Sequence, residues 1–302
     1  MEDISQFMPI ISGMLGGAAS SGAFKGPIKT LEDLWFIYFG NKASEKAEMI
    51  RAKQKISTTE FERKTLEEIS KINPQDIQEP KLALIGPALE ASRFYIEEKD
   101  IRNMFAKLIA SSMDKDKSKQ VHPSFVEIIK QMTSLDAKNL KSIYDSKGNA
   151  PIVEMRLSDD RGRFSKQFLH LYLGNKDEPD YSLIASSLIN LSRLGTVNLN
   201  YENFYSDNLK YKEFESSRLY EQAKLILEQS RDLSNLDKVI KEHEKFIKQY
   251  EEKPGVNISK LKREIEDLKS HKAEGDKVTK IDIIKGVVQI TQFGNDFCKA
   301  CL

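Results

Sequence analysis

A chain of 302 residues, 31% charged and 39% apolar, reads as a soluble, helix-rich protein with room for two domains and a sizeable core. Its net charge of +1 supplies no global basic field of the kind that draws nucleic acid. Its only cysteines, Cys298 and Cys301, exclude a disulfide scaffold and fit a reducing compartment.

The N-terminus opens the reading in chain order. Residues 4–24 are a 21-residue stretch without a charge, long enough to span a bilayer but containing four Gly, four Ser and one Pro. Glu2 and Asp3 stand where a secretory signal would be basic. Gly13 and Gly17 have the spacing of close helix packing, so the stretch reads either as a membrane contact or as a packed or flexible segment. Residues 27–40 follow as an amphipathic helix on Leu31, Leu34, Trp35 and Tyr38, ended by Gly40. Residues 42–71 read as a charged helix with a thin apolar face (Ala47, Ile50, Ile56, Phe61, Leu66, Ile69).

Two prolines break the chain over 73–81. Two helices come next, one carrying Leu84, Ala88, Ala91 and Tyr95, the other Ile101, Met104, Phe105, Leu108, Ile109 and Ser112. The short link at Glu97–Glu98 predicts an antiparallel pair. Asp114 and Asp116 lack the further oxygen ligands and turn glycine of a cation site. At His122-Pro123-Ser124-Phe125 a new helix starts, since proline loses nothing in a first turn and the serine hydroxyl can meet free N–H groups. Phe125 is expected to anchor it against the preceding helical pair, and Asp136 or Asp145 could neighbour His122. Thr133 or Ser134 caps the next helix, whose buried face is Leu135, Leu140, Ile143 and Tyr144.

Residues 145–180 carry short apolar runs that fit strands or short helices. A helix over 181–194 follows, capped by Asp180 or Ser182, buried through Leu183, Ile184, Leu188, Leu191 and Leu194, and ended by Gly195. Val197, Leu199 and Tyr201 then alternate as a half-buried strand. Over 213–275 the pattern changes to heptads. Leu233, Leu236, Ile240, His243, Ile247 and Tyr250 form one seam; Pro254-Gly255 breaks it; Ile258, Leu261, Ile265 and Leu268 form a second. The expectation is an antiparallel coiled-coil hairpin, with Leu236, Ile240, His243, Ile247 and Tyr250 as candidate partner-binding positions. Lys285-Gly286 between two apolar runs predicts a β-hairpin. A last helix places Phe293, Phe297 and Cys301 on one side, with the two cysteines as small apolar residues. Two cysteines alone fall short of a structural zinc site.

Together these elements predict a mainly α protein: an N-terminal helical domain over 1–125 and a winged-helix-like α+β domain over 126–302, with the coiled-coil hairpin of 213–275 inserted in its wing. The helix before the wing offers only Arg193 and Asn190 to a groove, a thin supply for reading DNA. No phosphate-binding loop, zinc-protease motif or nucleophile elbow occurs. The residues therefore name no catalytic group, cofactor or metal.

Residues 80–144, through "PALEASRFYIEEKDIRNMFAKLIASSMD" and "HPSFVEIIKQMTSLDAKNL", resemble the abortive infection alpha family of bacterial phage-defence proteins. The ending, "LSRLGTV" and "VVQITQFGNDFCKAC", is similar to that family's tail, whereas the first 70 residues and the coiled coil lie outside the resemblance. The resemblance implies a cytoplasmic bacterial protein of antiviral defence, without catalytic residues or cofactor to carry over. It makes His122, Pro123, Ser124, Phe125 and Asp136 the motif positions to locate. The expected function is a non-enzymatic defence protein that binds or senses a protein partner, or self-associates. The alternatives are a membrane-acting effector using residues 4–24 and a winged-helix DNA-binding regulator.

Overall fold

The computed structural model describes residues 25–35, 38, 48–159, 161–250, 258–273 and 279–302. The uncharged stretch 4–24 therefore lies outside the described residues, as do Gly40 and Pro254-Gly255. The fold is mainly helical with one curled four-stranded antiparallel sheet. The chain divides into two compact units.

The described residues within 1–150, 174–198 and 288–302 form the first unit. Its described helices are α1 (Lys25–Trp35), α2 (Glu48–Ser70), α3 (Leu82–Tyr95), α4 (Lys99–Met113), α5 (Ser124–Lys130), α6 (Ser134–Asp145), α7 (Tyr181–Arg193) and, near the end of the chain, α11 (Gln292–Cys301). Helix α4 is its axis. All six residues of its expected stripe are buried, and so are Arg102, Ala106, Ala110, Ser111 and Met113. A helix apolar on most of its circumference must be surrounded, and α2, α3, α5, α6 and α11 all pack on it. The buried Arg102 donates to the Ile96 carbonyl at 2.8 Å and pairs with Glu60, which satisfies much of a charge that would be costly alone. The thin face of α2 is real at Phe61 and Ile69, but Ile56 is exposed.

The described residues within 151–173 and 199–287 form the second unit. The ambiguous stretch 145–180 resolves into two antiparallel strands, β1 (Asn149–Ser158) and β2 (Phe164–Leu171). With β3 (Val197–Asn200) and β4 (Lys280–Ile290) they form a sheet of order β2-β1-β4-β3. Between β3 and β4 come α8 (Leu209–Glu215), which the sequence pattern did not suggest, and then α9 (Arg218–Tyr250) and α10 (Ile258–Ala273), which pack on each other.

The expected hairpin at Lys285-Gly286 is absent: β4 runs unbroken through both residues. Gly286 serves close packing instead. A Cβ there would lie 2.6 Å from the Tyr201 ring and 2.7 Å from the Asn200 carbonyl. The Tyr211 hydroxyl of α8 donates to the Gly286 carbonyl at 2.9 Å, and Lys285 donates to Asn208 at 2.8 Å. A strand interior can hold glycine where another chain segment comes this near, so the glycine misled as a turn signal.

Candidate functional site

The motif positions form a junction rather than a pocket. Helix α5 starts at Ser124 with Pro123 before it. His122 caps this start: its Nδ1 accepts the Ser124 backbone N–H at 3.1 Å and lies 2.7 Å from the Ser124 hydroxyl. A serine–histidine contact two residues apart, closed on its own backbone, has the form of a local side-chain-to-backbone turn.

Phe125 enters the core, fully buried. Helix α5 does pack on α3 and α4, and the Tyr95 hydroxyl of α3 donates to the Lys130 carbonyl at 2.7 Å. The rings that Phe125 meets, however, come from α11: Phe293 at 5.4 Å and Phe297 at 5.2 Å, both edge-on, the preferred geometry for aromatic pairs. His122 sits 6.2 Å from Phe293 and 6.3 Å from Phe125. The sequence alone could not place this partner, because α11 lies at the far end of the chain.

Asp136 does not attend His122. It completes a capping box with Thr133 at the start of α6: its carboxylate accepts the Thr133 N–H at 2.8 Å, and the Thr133 hydroxyl accepts the Asp136 N–H at 3.2 Å. The same carboxylate accepts from Asn190 of α7 at 3.0 Å. Asn190 also donates to the Gln131 carbonyl, and Arg193 bonds both Gln131 and Asn190. The two side chains that a groove-reading helix would offer to DNA are thus engaged inside the unit. Nearby, buried Asn139 bonds Ser187 and Asn175 and ties the same two helices. Replacing Asp136 by Ala removes the carboxylate half of the capping box and one acceptor of Asn190. It is expected to cost about 2 kcal/mol in chemical denaturation; an unchanged midpoint would contradict this role.

Helix α7 is capped by Asp180, which accepts from the Ser182 N–H at 2.8 Å. Gly195, at φ +72, ends it in the left-handed region that glycine tolerates. Of its expected buried face, Leu183 is exposed while Ile184, Leu188 and Leu191 are buried. The turn at Gly195–Thr196 is the seat of α11. Thr291 caps α11 by accepting from the Gly294 N–H at 2.8 Å, and its hydroxyl donates to the Gly195 carbonyl at 2.6 Å. Both cysteines of α11 are free and buried, and burial pushes the Cys298 thiol up to about 12 and Cys301 well above its ordinary value. Thiols held protonated this way pack as small apolar groups and are poor nucleophiles.

The second unit contains a pair that sequence reasoning passed over. Between the pairs Val153–Leu171 and Met155–Phe168, Glu154 of β1 faces both Leu169 and His170 of β2, a bulge. His170 takes φ +51 there, a conformation costing a non-glycine residue on the order of 1–3 kcal/mol. Its Nδ1 lies 2.9 Å from the Tyr201 hydroxyl. Burial pushes Tyr201 up to about 12 and holds His170 below its ordinary value, against the pull of Glu154, so the pair is neutral near pH 7. The alternating run Val197–Leu199–Tyr201 was visible in sequence; the bulge that aims His170 at its last member was not.

Of the hairpin positions, Ile240 is buried and Ile247 and His243 are half-buried; the His243 Nδ1 has no hydrogen bond among the described residues. The side chains of Leu236 and Tyr250 lie outside the described residues. Ile265 of α10 is buried, and its Lys269 pairs with Glu244 of α9 at 2.6 Å. One heptad position of α9 faces outward with Leu225, Val239 and Phe246, all exposed. Among the described residues no group of three potential metal ligands occurs, and no helix is long and apolar enough to cross a membrane.

Comparison with curated proteins and with solved structures finds no match. Residues 53–301 match the family described as abortive infection alpha. The match runs through the hairpin region 213–275, which the sequence resemblance had left outside, and takes in both motif junctions and the α11 seat. Spanning most of the chain, it shows that the protein belongs to the abortive infection alpha family.

Proposed function

We propose that this protein is a non-enzymatic agent of abortive infection against phage, acting through a protein partner bound by the hairpin α9–α10. Family membership supports the defence role. The observation that carries the mode of action is the outward heptad row of Leu225, Val239 and Phe246 on a 33-residue helix. Apolar residues separated by multiples of seven fall on one stripe of a helix, the form in which helices bind helices or grooves. In this reading α9 and α10 are an antiparallel coiled coil inserted in the wing of a winged-helix-like arrangement, α7–β3–β4. The insertion falls between two neighbouring strands, which is where a wing tip lies. The motif residues hold the first unit together, and the working location is the bacterial cytoplasm.

The test is phage challenge of bacteria expressing the full chain. A lower phage yield together with early loss of the infected cells is the expected result. Yield and survival equal to those of cells without the protein would sink the proposal.

A further inference from the structure

Within the first unit, a cavity of about 250 Å³ opens between the ends of α2 and α11 and the flank of α4. Four lysines line it, Lys71, Lys107, Lys117 and Lys299, against the side-chain carboxylates of Glu68 and Asp114; Leu302, the last residue of the chain, lines it too. Three of the lysines have an ordinary explanation. Lys71 and Lys299 lie at or just beyond helix C-termini, where the partial negative charge of the carbonyls favours a cation, and Lys117 is exposed in the turn that follows α4.

Lys107 does not. It lies in the middle of α4 and is half-buried, and its amine makes no hydrogen bond or ion pair among the described residues. Burial lowers its pKa, and Lys64, Lys141 and Lys71 add to that; Glu68 opposes. But Glu68 is already committed, 2.7 Å from Lys64 and 2.9 Å from Lys71. Asp114 accepts the Asp116 N–H at 2.9 Å. A partly desolvated ammonium facing further lysines is unfavourable unless an anion joins it.

We propose that this cavity binds a small phosphate-bearing anion, with Lys107 at its floor and Lys71, Lys117 and Lys299 around it. Several lysines converging as point charges suit the multiple charge of phosphate better than a single carboxylate. The volume lies below the roughly 300–1,000 Å³ of drug-sized sites, so the group recognised is one or two phosphates. The site is distinct from the hairpin and does not depend on it.

Titration calorimetry of the full chain at low salt, with inorganic phosphate in one arm and pyrophosphate in the other, tests this. Saturable binding of at least one is expected, weakened about tenfold or more by Lys107→Met. Without ligand, Lys107→Met should melt at or above the unsubstituted protein, since the uncompensated ammonium is gone. Lys299→Ala, at the exposed rim, provides a second readout if Lys107→Met does not fold, and should also weaken binding. Absence of saturable binding in both arms, or affinities unchanged in the variant that folds, would overturn the site.

Discussion

Gly294→Ala should destabilise the first unit by at least about 3 kcal/mol, lowering its melting temperature by about 10 °C. A Cβ at this position would stand 1.9 Å from the Thr196 carbonyl oxygen and 2.7 Å from its carbon. Both are backbone atoms, and neither can step aside without moving the Gly195–Thr196 turn. That turn accepts from the Thr291 hydroxyl and backbone N–H, so moving it also undoes the cap of α11. The better helix propensity of alanine, about 1 kcal/mol, does not offset this. Gly162→Ala is the comparison: no atom lies within 4 Å of its added carbon, and only its φ of +77 opposes the change, at about 1 kcal/mol. Calorimetric melting of the two variants separates these costs. If Gly294→Ala melts with the unsubstituted protein, α11 is not seated as described.

The second large effect falls on the motif itself. Phe125→Ala removes a fully buried ring that meets Phe293 and Phe297 edge-on. A loss of about 3–5 kcal/mol is expected. His122→Ala, one turn away and exposed, should cost only about 1 kcal/mol through the lost cap. The inequality carries the meaning. If His122 were the working residue of a site, its replacement would abolish defence while leaving stability nearly intact. Here the expectation is the reverse: Phe125→Ala impairs defence by unfolding, and His122→Ala retains it.

How far the sequence was legible depended on how local each determinant is. Helix α4 could be read because all six stripe residues repeat at helical spacing and are buried. The Thr133 and Asp180 caps were among the expected choices, because a cap and its N–H partner are near neighbours in sequence. The strand β4 was misread because a two-residue Lys-Gly turn and a glycine forced by a tyrosine 85 residues earlier look alike in sequence. Strand β1 carries Ile152, Val153, Met155 and Leu157 all buried, with Glu154 buried among them and Ser158 buried after them, so the alternation that marks a half-buried strand is missing. The motif residues were found, but their partners Phe293, Phe297 and Asn190 are distant in the chain, so their role as junctions emerged only in three dimensions.

The central claim is that defence acts through the outward face of α9. Leu225 and Val239 are exposed, 59% and 39% respectively, so replacing both by Glu should leave folding intact. Phage yield in cells expressing Leu225→Glu/Val239→Glu, with the melting temperature of the purified variant as control, is the most direct measurement. The account predicts a variant that melts with the unsubstituted protein and no longer lowers phage yield. A stable variant that protects as well as the original would contradict it.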